Sequence, residues 1–262
     1  MLKVRLLIGA AIALFALFSY FGSSEYNPVT GEKQFISLTP RQEIALGLQA
    51  EPQMIAEYGG LYPDEAHQRA LDQIGARLVQ MGDAADTGWE FEFHLLNDPQ
   101  TINAFALPGG PVFITAALYA RLETEGQVAG VIGHEIGHVV ARHGAQRIAK
   151  SSLTRGLMGA VIAASGDANA GQMAAMVGQM INMQYGREDE LQSDELGVRL
   201  MAQAGYDPRG MIEVMKVLAE SRSGEAPPEF FSTHPNPDNR IAEIERAIHE
   251  IFPNGVPDGL VK

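Results

Sequence analysis

Cysteine is absent from these 262 residues. Disulfides and thiolate ligands are therefore excluded, and any metal must be held by His, Asp or Glu. A lipid-modified N-terminal cysteine of the bacterial lipoprotein kind is excluded as well. Positive charge is scarce: 19 Lys and Arg stand against 32 Asp and Glu, giving a net charge of −13. There is no basic patch. Such a chain repels phosphate backbones, which argues against nucleic acid as a partner. Runs long and apolar enough to approach a bilayer's thickness are confined to the N-terminus. There Lys3 and Arg5 precede an uncharged run over 6–21, the layout of an export signal. No clear A-x-A site precedes Glu25, so an uncleaved anchor and a removed signal both stay open. Positive-inside logic keeps Lys3 and Arg5 in the cytoplasm and sends the rest outward.

The chain beyond this segment reads as α+β, mostly α-helical, with a small antiparallel sheet. Residues 1–24 are expected as signal peptide or membrane anchor, 25–39 as linker with a turn at 27–31, and 40–262 as one catalytic domain. Helical spacing predicts helices over 40–48, 64–81, 116–122, 188–204, 209–221 and 240–251. Trp89, Phe91, Phe93 and Leu95 alternate with Glu90, Glu92 and His94, the pattern of a half-buried strand over 89–96. Two short strands follow at 104–107 and 112–115, separated by Pro108-Gly109-Gly110-Pro111. Thr124 with Gln127 is a capping-box signature, and the helix that begins there is expected to run to about Lys150. Residues 151–183 are rich in Gly, Ala, Met and Ser. They read as two packed core helices, 157–164 and 173–183, against the alternative of a Met-rich cover or a membrane-contacting surface. Loops are expected at 223–228 and 235–239.

His134-Glu135-Ile136-Gly137-His138 spells HExxH in a helical stretch. Positions four apart share a helix face, so both imidazoles can reach one Zn²⁺ at about 2.0–2.1 Å. Glu135 beside them can take a proton from an activated water. A catalytic zinc wants a third protein ligand and one open position. His143 is nine residues past His134, on the opposite face of a straight helix, and reads as structural or solvent-facing. Glu190 and Asp194 share a face of an acidic helix. One can bind the metal while the other accepts the free N–H of a ligating imidazole. His234, before a Pro-rich turn, can donate a hydrogen bond to the oxyanion that forms on an attacked carbonyl. His67, His94 and His249 read as structural.

Together these motifs resemble metallopeptidase family forty-eight, the HtpX and CAAX prenyl protease type of gluzincin. The matches run in order: Asn103-Ala104-Phe105-Ala106-Leu107-Pro108-Gly109-Gly110, HEIGH at 134–138 with Arg142-His143, Glu190-x-x-x-Asp194, Gly205-Tyr206-Asp207-Pro208, and Thr233-His234-Pro235 with Arg240-Ile241. The resemblance implies a zincin-like fold and one Zn²⁺ per chain bound by His134, His138 and Glu190. It also implies Glu135 as general base, Asp194 behind the ligands and His234 as a transition-state stabiliser. The strand around Asn103, Ala104, Phe105 and Ala106 becomes an edge that pairs with an extended polypeptide substrate. The chain looks most like the small exported bacterial members, so the expected place is the cell envelope, facing the periplasm. The expected substrates are unfolded or misassembled envelope proteins. Two rivals remain: a chaperone-like binder with structural zinc, and a protease held inactive by His234 or by 151–183.

Overall fold

The computed structural model describes residues 2–165, 185–221, 228–234 and 239–262. It forms two compact units, one of Met1–Thr39 with His143–Tyr185 and one of Pro40–Arg142 with Gly186–Lys262. The expectation of a single unit from residue 40 onward thus gives way to a chain that leaves the second unit at Arg142 and re-enters it at Gly186.

In the first unit, α1 (Leu2–Gly22) is long and apolar enough to cross a membrane by length and composition. It packs along α6 (His143–Ser165). The expected linker is instead a hairpin, with β1 (Ser24–Asn27) antiparallel to β2 (Glu32–Phe35). The turn between them falls at the Asn-Pro signal: the Asn27 side chain accepts from Val29 N at 2.9 Å and Thr30 N at 3.3 Å. Tyr20 and Phe21 close onto Phe35, with ring centroids 4.9 and 5.6 Å away. α6 includes the first of the two helices expected in 151–183. The second, 173–183, lies outside the described residues.

The second unit carries a three-stranded sheet and most of the helices. α2 (Pro40–Glu57) runs well past its expected end at Leu48, through Pro52. α3 (Glu65–Met81) starts on Asp64, whose side chain accepts from Ala66 N at 2.8 Å. The sheet is mixed, antiparallel as expected in one pairing and parallel in the other. Its order is β3-β5-β4, with β3 (Glu92–Leu96) parallel to β5 (Pro111–Thr115) and β4 (Ala104–Ala106) antiparallel to it. Strands adjacent in sequence are not all adjacent in space here. The connection after β3 turns on Asp98, which accepts from Gln100 N and Thr101 N. That turn belongs to a connection that leaves room for β5 between β3 and β4. Trp89 and Phe91 precede the strand in irregular chain. The β4–β5 connection needs its glycines: Gly110 has φ 143, and a Cβ there would lie 1.9 Å from Glu90 O.

α4 (Ala116–Tyr119) leads to α5 (Glu125–Val140), which begins on the expected capping box. Gln127 N donates to Thr124 Oγ1 at 3.2 Å, and Thr124 N donates to Gln127 Oε1 at 3.0 Å. α5 does not reach Lys150. It ends before Arg142, which takes the left-handed conformation with φ 58, at a cost on the order of 1–2 kcal/mol for a residue with a Cβ. The buried Arg142 guanidinium binds Glu43 of α2, with Nε to Oε1 at 3.0 Å, and lies over the Trp89 ring. These contacts hold the break. His143 therefore opens a new helix, and the straight-helix argument for its direction does not apply. It is buried rather than solvent-facing. The unit is completed by α7 (Arg187–Gln203), α8 (Arg209–Ser221), the single turn α9 (Phe230–Thr233) and α10 (Arg240–Ile251). The loop expected at 223–228 and the turn at 235–239 lie outside the described residues, except for Pro228 and Asn239.

Candidate metal centre

Every residue of α5 from Gly126 to Val140 is buried. It packs on α7 through small residues. Gly133 and Gly137 of α5 face Gly197 and Ser193 of α7, and a Cβ on Gly137 would meet Ser193 O at 2.8 Å. This close approach is what brings the acidic helix against HExxH. Gly137→Ala is expected to push the helices apart, costing about 1–3 kcal/mol of stability and weakening metal retention. Thermal unfolding and metal content after dialysis measure both, and wild-type values on both would contradict this packing.

His134, His138, Glu190 and His234 each offer a ligand atom, all within 4.8 Å of one another and all buried. His134 Nε2 lies 3.1 Å from His138 Nε2 and 3.4 Å from His234 Nδ1. Glu190 Oε2 is 3.5 Å from His134 Nε2, while its Oε1 is 3.5 Å from His138 Nε2 and 3.0 Å from His234 Nδ1. A tetrahedron with arms of 2.0–2.1 Å has edges of about 3.3–3.4 Å, so the donor set and its spacing fit one zinc ion. The expected set of His134, His138 and Glu190 is together. His234 stands nearer than expected, at the corner a fourth ligand would take. Phe230 stacks on its ring at 4.4 Å.

Asp194 lies behind His134. Its Oδ1 accepts from His134 Nδ1 at 2.8 Å, which leaves the Nε2 lone pair turned to the cluster centre. Arg240 then binds Asp194 from the other side, Nε to Oδ2 at 2.6 Å and Nη2 to Oδ1 at 2.9 Å, and its Nη1 reaches Glu190 Oε2 at 3.2 Å. Removing one partner from a buried ion pair of this kind typically costs about 3–5 kcal/mol, so Arg240 is part of the centre's frame. Neither oxygen of Glu135 has a hydrogen-bond partner among the described residues; His234 Nε2 lies 3.7 Å from its Oε1.

Burial lifts Glu135 above the usual carboxylate range, against the pull of His234 and His134. Burial pushes Glu190 the same way, but the His234 charge and bonds from three imidazoles outweigh it and hold it well below its ordinary value. Asp194 is also held low, Arg240 and His134 overcoming the cost of burial. His134 is lowered by burial and by Arg240, yet its bonds to Asp194 and Glu190 win and raise it to about 9. The arrangement thus keeps two carboxylates ionised behind and among the imidazoles, and a third unbonded with raised proton affinity. That is the distribution a base beside a metal requires.

The stretch around Asn103, Ala104, Phe105 and Ala106 forms the start and body of β4, on an edge of the sheet. Its entrance is clasped by Tyr58 and Glu229, which no sequence motif marks, together with Asn103. Tyr58 Oη donates to Glu229 Oε1 at 2.7 Å, Asn103 Nδ2 donates to the same oxygen at 3.2 Å, and Phe230 N donates to Ile102 O. The segment that ends in His234 is thereby tied to the edge strand. No spacing rule reveals that clasp. Arg240 did leave a signal: a cation in the first turn of a helix opposes the helix dipole and calls for a carboxylate partner.

A sequence model described as peptidase family M48 matches residues 65–248. The chain is 32% identical over 239 residues to a beta-barrel assembly-enhancing protease of Yersinia pestis, covering 87% of this chain and 48% of that protein. It is 29% identical over 246 residues to the protein of that name in Escherichia coli K12, covering 90% and 50%. It is 31% identical over 254 residues to the mitochondrial metalloendopeptidase OMA1 of Schizosaccharomyces pombe, covering 95% and 73%. The chain spans about half the length of these two bacterial relatives.

Proposed function

The chain belongs to peptidase family M48, a family of metal-dependent peptidases, and from that premise we propose that it is a zinc-dependent endopeptidase of cell-envelope polypeptides. The observation that carries the reading is Glu135, a buried carboxylate with no hydrogen-bond partner among the described residues, beside a four-residue cluster of metal-ligand spacing. His134, His138 and Glu190 hold the ion. When bound, zinc supplies an acidified water and polarises the scissile carbonyl. Glu135 accepts the proton of the attacking water and passes it to the leaving nitrogen. Asp194 fixes the His134 tautomer, and Arg240 keeps Asp194 in place. An extended substrate adds to the free edge of β4 through main-chain hydrogen bonds. Residues 1–24 anchor the chain in the membrane or direct its export. Lys3 and Arg5 ahead of the apolar run favour the envelope, facing the periplasm, as the place of action. Two bacterial relatives are named for enhancing beta-barrel assembly, and we take unfolded or misassembled envelope proteins as the substrates. A chaperone-like binder with structural zinc is separated by turnover. Digestion of an unfolded test protein should stop with a chelator and return with added zinc; a chelator-resistant rate counts against the proposal.

The position of His234 Nδ1 favours a second reading of the resting state, in which this ring occupies the corner that substrate must take. Once displaced, the same ring is placed to donate to the oxyanion. His234→Ala is expected to lower kcat by about 10²–10³-fold, as for loss of an oxyanion donor, with metal retained. A rate above wild type would make His234 a block alone.

A further inference from the structure

His94, in the middle of β3, belongs to a second cluster that the reaction does not use. Its Nε2 lies 3.2 Å from Glu51 Oε1 of α2 and 3.8 Å from Glu92 Oε2 of its own strand. One ligand atom of each residue lies within 4.8 Å of the others. The His94 side chain is 12% exposed, and its Nε2 is shut from solvent without a hydrogen-bond partner among the described residues, so neither carboxylate is aligned to satisfy it. The ring cannot easily turn away: it stacks on Phe113 at 5.0 Å, and Phe113 stacks on Phe105 of β4 at 4.7 Å. Among the described residues no Lys or Arg pairs with Glu51 or Glu92. Even a protonated imidazole offsets just one of two convergent carboxylates. A shared cation would meet both deficits, the unsatisfied buried nitrogen and the surplus negative charge.

We propose that Glu51, Glu92 and His94 form a second metal site, separate in its residues from the HExxH cluster. One imidazole nitrogen with two carboxylate oxygens suits a borderline divalent ion of the Zn²⁺ class rather than a hard ion that prefers oxygen alone. Glu92 is half exposed, so water can complete the coordination. The site joins α2 to β3. Tyr58, two turns beyond Glu51 at the end of α2, packs on Phe105 with ring centroids 5.3 Å apart. The face of α2 that holds the ion is thus the face that lies over the ring row from His94 to the edge strand. The ion pins this helix across the sheet.

The test is equilibrium dialysis of the full chain against buffered Zn²⁺ alone, with bound metal quantified and unfolding midpoints recorded at each free zinc level. Wild-type protein should bind a second equivalent and gain thermal stability as it does so. His94→Gln should stop at one equivalent and lose that second gain. Glu92→Gln, a change at a half-exposed side chain that leaves the fold undisturbed, should weaken the second equivalent at least tenfold. Glu190→Ala should keep the second equivalent while losing the first, which separates this site from the catalytic one. Wild-type protein saturating at one equivalent overturns the proposal. So does a second equivalent held with unchanged affinity by both His94→Gln and Glu92→Gln, and the three residues are then a local ion pair only.

Discussion

Glu135→Gln is expected to leave the metal bound and the fold intact while proteolysis falls by about 10²–10⁴-fold or more. The substitution keeps the shape of the side chain and removes its basicity. Glu135 is fully buried and neither of its oxygens is engaged in a hydrogen bond within the described residues, so the fold does not depend on its charge. Burial raises its proton affinity toward the working range of a base. The amide cannot take a proton from the attacking water, and the step that forms the nucleophile fails. Digestion of an unfolded protein such as casein, paired with metal analysis of the same sample, reads both quantities. A variant that cleaves at the wild-type rate removes Glu135 from the mechanism.

Glu190→Ala is expected to release the ion. The oxygens of Glu190 stand 3.5 Å from both HExxH imidazoles, and the surrounding charges keep it ionised. Loss of even an outer hydrogen-bonding partner of a metal ligand typically costs about 10–100-fold in affinity, so loss of a ligand is expected to cost more. Alanine also leaves Arg240 without one of its carboxylates. Metal content after dialysis should fall toward zero at the first site, and activity with it. Unchanged metal content would move the third ligand to another residue.

The centre was legible in sequence because its chemistry is local. HExxH places two imidazoles by helical period alone, and Glu190 and Asp194 share a face for the same reason. The resemblance added an expectation of which carboxylate is the ligand; Glu190 lies in the four-residue cluster and Asp194 on the far side of His134. Helices with clear capping or stop signals were readable to within a residue or two, as at Thr124, Arg209 and Arg240. What failed depends on tertiary contacts. The break at Arg142 rests on Glu43, a hundred residues away in sequence, and no local signal marks it. The place of β5 between β3 and β4 is a choice of topology that alternation cannot reveal. The hairpin at 24–35 lacks alternating apolar residues and reads as linker, although its turn was visible. His234 was placed near the metal, but its distance from it was beyond any spacing argument.

The proposed peptidase activity depends on one ion between α5 and α7. The most direct measurement is anomalous diffraction at the zinc edge from crystals of the full chain grown with zinc. A peak is expected within about 2.0–2.2 Å of His134 Nε2, His138 Nε2 and a Glu190 oxygen, with Glu135 beside it and not bonded to it. Density that shows these three side chains turned from a common point, or a site filled without Glu190, would contradict it.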